Sequence, residues 1–161
     1  MTIENRVNVL QMENVIDAIA QIVRDVDGMK EVWSEVDEGR GTFPPAAINT
    51  YPAALIYYQR PVEYDRVAGL EKDEYIVLVR ILSGPSASMG ANSRLAIQLR
   101  QRLIDDMGNH IMLAIDGTPL CTSCRYLTDA AVQGFTYADV DFRGIDMEFL
   151  IREERHRDFY P

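Results

Sequence analysis

Residues Glu74 to Leu82 read Glu-Tyr-Ile-Val-Leu-Val-Arg-Ile-Leu, apolar at odd and even positions alike for most of the run. A strand sends successive side chains to opposite faces, so this segment must be covered on both. It is expected to be a central strand, and the rest of the chain has to supply the cover.

Two helices answer that need. Met12, Val15, Ile16, Ile19, Ile22, Val23 and Val26 recur at steps of three or one and draw one apolar stripe on a helix from about 11 to 26. Gly28 ends it by offering the left-handed conformation that helix ends favour. Leu95, Leu99, Leu103 and Met107 recur at steps of four on a second helix from about 92 to 107, with Asn92 or Ser93 as its cap and Gly108 as its stop.

Between these helices lie strand-like runs at 29–36 and at 53–58, the latter led by Pro52. Gly39, Gly41, Pro44 and Pro45 break every period, so 37–50 is expected to be a long loop. Residues 60–73 read as a second irregular segment, and 83–90 as a small, polar, flexible connector. The last third reads as a short strand at 110–115, a turn at Asp116-Gly117-Thr118-Pro119, and strands near 125–137 and 141–152. In the final strand Ile145, Met147, Phe149 and Ile151 share one face, with Asp146, Glu148 and Arg152 on the other. With 161 residues and no linker, the expectation is a single α+β domain with a mostly antiparallel sheet, two packing helices and a charged tail from about 153.

The charge narrows the function. Sixteen basic against 25 acidic residues give a net charge of −9. The excess sits in the two ends: four basic against nine acidic in 1–50, six against five in 51–100, six against eleven in 101–161. A duplex-gripping domain needs Lys and Arg to neutralise phosphates, so this balance argues against one, although like charge lets a polyanion pass without sticking. No stretch suits a membrane span or a secretory signal, so synthesis in the cytosol without disulfides is expected.

The chemistry-bearing motifs are few. Cys121-Thr122-Ser123-Cys124 is half of a zinc site, but His110 and His156 stand at no familiar spacing from it. Leu120 separates Pro119 from Cys121, and neither histidine opens a His-x-Glu, so the deaminase pattern fails as well. The pair reads first as two thiols near a strand start, with metal or redox work as the alternative. Asp105-Asp106, Asp139/Asp141 and Asp146/Glu148 could hold a divalent ion but read as solvated surface, since no calcium-loop spacing is present. The loop 83–90 lacks the Gly-Lys-Ser/Thr ending of a phosphate loop. No catalytic residue, metal or cofactor is called for.

The arrangement as a whole carries more. An amphipathic N-terminal helix, the Pro-led strand Pro52–Tyr58, the strand Tyr75–Leu82, the helix Asn92–Met107 and the hairpin Gln133–Tyr137 to Asp146–Ile151 together resemble the tail terminator proteins of long-tailed bacteriophages, and related tail-completion and neck proteins. The resemblance covers most of residues 10–152, apart from 60–73 and the Cys-x-x-Cys turn, and rests on element order and apolar pattern. It implies a non-enzymatic virion protein that forms a ring, usually a hexamer, at the head-proximal end of the tail tube. Such a ring stops tube polymerisation and offers a docking surface to the head connector, while DNA passes through the centre. Ring or tube contacts are expected in the loops 37–50 and 83–90, carried by Glu38, Arg40, Phe43, Ser86, Ser88 and Met89. Asp139, Asp141, Asp146 and Glu148, or the pair at 37–38, are expected to line the lumen. A head-closure or other connector protein of the neck is the alternative. A small metal-binding or enzymatic domain using Cys121 and Cys124 is the distant one.

Overall fold

A computed structural model of the chain describes residues 3–37, 43–67, 69–85, 89–108, 114–115 and 118–156. Among them, Glu31–Ser34 (β1), Ala53–Val67 (β2), Leu70–Pro85 (β3), Ser123–Asp129 (β6), Gln133–Tyr137 (β7) and Val140–His156 (β8) form one six-stranded sheet. Its order is β1-β2-β3-β8-β6, with β7 also paired to β8. Every pairing is antiparallel except β1 with β2. Ala114–Ile115 (β4) and Thr118–Pro119 (β5) make a separate two-stranded ladder.

Both helices, Ile3–Asp25 (α1) and Met89–Gly108 (α2), pack on one face of this sheet, α1 over β1 and β2, α2 over β3, β8 and β6. The fold is α+β. The expected stripes are the buried ones: Val15, Ile16, Ile19, Val23 and Val26 from the first helical segment and Ala96, Leu99, Leu103 and Met107 from α2 close on Tyr75, Val77, Val79 and Ile81 of β3. Each large side chain so buried contributes about 1.5–3 kcal/mol of apolar transfer. Ile76, Leu78 and Leu82 on the opposite face of β3 are at most 2% exposed, so the central strand is covered on both sides. Gly28 stands past the end of α1 with φ of 93°, and Met29 N donates to the Val26 carbonyl across the stop.

Four expectations are corrected. Residues 60–73 are not irregular: β2 continues to Val67, and β3 returns antiparallel to it from Leu70, just after Gly69 (φ 87°). This hairpin and the end of β8, paired from Leu70↔His156 onward, make a three-stranded arm. Its character was hidden by two register shifts, which leave Gln59 and Val62 bulged out of the ladder, and by exposed polar residues on β2. The first helix begins at Ile3 rather than 11. The cap expected at Asn92 or Ser93 is not one: α2 starts at Met89, and the Asn92 amide instead donates to the Pro85 carbonyl at 2.6 Å. The strand expected at 125–137 is broken at 130–132 into β6 and β7, both on the same edge of β8.

Candidate functional site

Described residues of the two loops singled out in the sequence lie at one end of the sheet. Ala53, where β2 begins after the first loop, lies opposite Leu82, near the end of β3. Pro85 lies opposite Phe142, beside the β7–β8 turn. The arm occupies the other end. This end therefore holds the described part of the first loop (43–52), the last residue of β3 (Pro85), and the turn Ala138-Asp139, whose φ values of 49° and 62° suit a mirror-image two-residue hairpin turn.

The sheet face turned away from the helices carries an aromatic cluster at this end. Ile48, Ala53, Leu55, Leu82 and Phe142 are buried there, flanked by the half-buried Trp33, Phe43, Phe135 and Tyr137. Phe43 stacks at a tilt on Tyr57 with ring centres 6.0 Å apart, and Tyr51 and Tyr137 meet Phe142 edge-on at 6.0 and 6.4 Å. Such tilted and edge contacts suit the ring quadrupoles. The Pro52 carbonyl accepts from Lys30 N and Glu31 N, which ties the loop to β1.

Arg80 organises the middle of this face. Its Nε and Nη2 donate to the two oxygens of Asp146 at 2.7 and 3.0 Å, its Nη1 donates to the Tyr137 hydroxyl at 2.9 Å, and its guanidinium lies 4.2 Å from the Phe135 ring centre. A planar fork matched to a carboxylate and stacked on a ring is an arrangement lysine could not make. The Asp146 bond holds the guanidinium pKa above its ordinary value despite partial burial, which acts the other way. Burial raises the nearby Tyr57 phenol; the Arg80 charge pulls it back and Asp146 adds to the rise. The signal for this cluster was present in the sequence as one arginine inside the apolar run 75–82 and one aspartate inside the final strand, but only the register Arg80↔Asp146 unites them.

The expected contact and lumen residues are distributed as follows. Glu38, Arg40, Ser86 and Ser88 lie outside the described residues. Phe43 is in the aromatic cluster, and Met89 is the first residue of α2 and 55% exposed. Tyr51 and Val140 are exposed at the same end. The connector is shorter than expected, because Ser83 and Gly84 belong to β3. Ser83 Oγ lies 2.6 Å from the Asn92 carbonyl oxygen and 3.0 Å from that of Arg143, so one hydroxyl links α2, β3 and β8.

The four acidic residues do not share one surface. Asp146 and Glu148 lie on the helix-free face, and Asp146 is neutralised by Arg80. Asp141 has the opposite parity and accepts from Thr136 Oγ1 at 2.7 Å, and Asp139 is in the turn. Cys121 and Cys124 are thiols, not joined in a disulfide, and are buried in the helix-side core. Burial pushes the Cys121 thiol up to about 12 and raises Cys124 as well, so neither is a ready thiolate. Among the described residues no three His, Cys, Asp or Glu side chains gather as a metal site would need, and no helix is long and apolar enough to cross a membrane. His110 is outside the described residues. No protein-family model and no curated protein matches this chain.

Proposed function

We propose that this chain is a structural virion protein of the tail-terminator kind. It assembles with copies of itself into a ring, a hexamer in the resembled family, at the head-proximal end of a phage tail tube. The ring halts tube growth and joins the tail to the head connector, without catalysis or a cofactor. The observation that carries the proposal is the convergence of residues 43–52, the end of β3 at Pro85, the start of α2 at Met89 and the β7–β8 turn at one end of the sheet. Together they present Tyr51, Met89 and Val140 to a partner. Recognition residues are commonly placed on loops held by a rigid scaffold. The acidic balance fits a ring through which DNA passes without being held, and Asp139 and Asp141 are the carboxylates of the loop end that would face that passage.

Polymerising tail-tube subunits in the presence of the purified chain tests the reading. Tubes of bounded length with a ring at one end are expected, and Met89→Asp should abolish capping without changing the circular dichroism spectrum. Tubes that grow unchecked beside the intact protein would sink the proposal. Binding to a portal-type ring in place of the tube would reassign the chain to head closure.

A further inference from the structure

Among the described residues, the arm at the opposite end of the sheet has β2 as an edge strand. β1 pairs only with Ala53–Ile56, and Glu35 then accepts from Tyr58 N, so among the described residues no strand pairs with β2 on its outer side from Gln59 to Val67. Residues 59–66 are all exposed, including Val62 at 46% and Tyr64 at 57%. Open edges are usually blunted by bulges, prolines and charges, and this one carries all three. Those same features select one partner.

The pairing with β3 fixes the faces. Arg60, Glu63 and Asp65 oppose Ile76, Glu74 and Lys72, and so share the helix-free face; Pro61 and Tyr64 oppose Tyr75 and Asp73, and share the other. The bulge at Val62 is what puts Arg60 and Asp65 on one side although they are five positions apart. Laid antiparallel on a second copy about a two-fold axis between Val62 and Glu63, the edge brings Arg60 opposite Asp65 twice and Pro61 opposite Tyr64 twice, each pair on a common face. Val62 of each copy then stands opposite Glu63 of the other beside the axis. A proline on an edge turns its donorless nitrogen to the outer side, so Pro61 fits the face that meets the second copy. Centring the axis on Glu63 instead sets Glu63 against itself and Arg60 against Arg66, which like-charge repulsion disfavours.

We propose that the β2 edge of the arm pairs antiparallel with the same edge of a second copy, in the register that sets Arg60 against Asp65. The contact is two-fold and self-limiting. It is independent of the ring reading, which uses the loop end.

Sedimentation of the full chain and of Arg60→Glu and Arg60→Glu/Asp65→Lys variants tests it. A dimer is expected for the parent, weakened on the order of tenfold by the single reversal and restored by the double. Arg60→Cys mixed with Asp65→Cys under a thiol oxidant should give a cross-linked dimer that neither variant gives alone, the native cysteines being buried. A parent that stays monomeric up to about 1 mM, a dimer indifferent to the charge reversal, or equal cross-linking by either variant alone would each overturn it. Rings that cap tubes yet show no such pairing would leave the function standing and remove this contact.

Discussion

Replacing Arg80 by Met removes a guanidinium that makes two hydrogen bonds to Asp146 and one to Tyr137 and lies over Phe135. The side chains of Arg80 and Asp146 are only 23% and 18% exposed, so little water could replace the partner that Asp146 loses. Stranding one member of such a pair destabilises by about 2–4 kcal/mol, whereas replacing both by apolar groups is near neutral. Arg80→Met is therefore expected to lower the stability by about 3 kcal/mol, which for a chain of this size is a fall in Tm of roughly 5–12 °C. Asp146→Leu should lose less, about 1–2 kcal/mol, because the guanidinium retains Tyr137 and Phe135. Arg80→Met/Asp146→Leu should return to within about 1 kcal/mol of the parent. Urea denaturation of the four proteins at pH 7, with the slope checked for constancy, gives the coupling directly. A coupling below about 0.5 kcal/mol would show that the pair is a surface ornament and refute the reasoning.

Gly144→Ala should be among the most damaging single changes. A Cβ there would lie inside the van der Waals surface of the Ile81 carbonyl oxygen and 3.2 Å from Leu82 Cδ2, forcing β3 and β8 apart at a cost of about 3 kcal/mol or more, visible as a lower urea midpoint or loss of soluble protein. Asp129 is held below the usual carboxylate range chiefly by its hydrogen bonds from Arg100, at 2.6 and 3.2 Å, with the Tyr126 hydroxyl also donating to it. Its contribution is present above the unfolded carboxyl value near 4 and lost as pH falls through the folded value. Asp129→Asn should accordingly lower stability at pH 7 by about 0.5–1 kcal/mol and flatten the loss of stability below about pH 4; an unchanged acid limb would contradict the assignment. The native protein at pH 8 should be inert to a thiol reagent, with both cysteines titrating only after denaturation, and fast labelling of the folded chain would disprove their burial.

What could be read from the sequence was whatever carried an unbroken period. The run 74–82, the stripe 12–26 and the steps of four from Leu95 each repeat without interruption, and each packs into the core, with Met12, Ile22 and Leu95 partly buried at its margin. The arm was illegible for the converse reason: bulges at Gln59 and Val62 shift the alternation twice within four residues, and Pro61 between them imitates a loop. The same physics split 125–137, where the chain leaves the ladder at 130–132. Loops at 37–50 and 83–90 could be named as candidates, but that the strand residues flanking them share one end of the sheet follows from pairings such as Ala53↔Leu82 and Pro85↔Phe142 between distant positions. The Arg80–Asp146 pair spans 66 positions and no local pattern reports it.

The place of β8 in the sheet bears on how the chain comes into being. The last of the six strands to be synthesised is the one that sits between β3 and the β6–β7 edge, and it contributes Ile145, Met147, Phe149 and Ile151 to the main core. Pro85 precedes Val140 by 55 residues, so at about 5–20 residues per second β3 waits roughly 3–11 s for its neighbour. During that interval α2 is available to shield one side of β3, while the flank that β8 will occupy stays bare. Folding is thus gated by the arrival of the final strand, and a chain cut short before it would hold a half-sheet with an apolar open flank, fit for disposal rather than assembly.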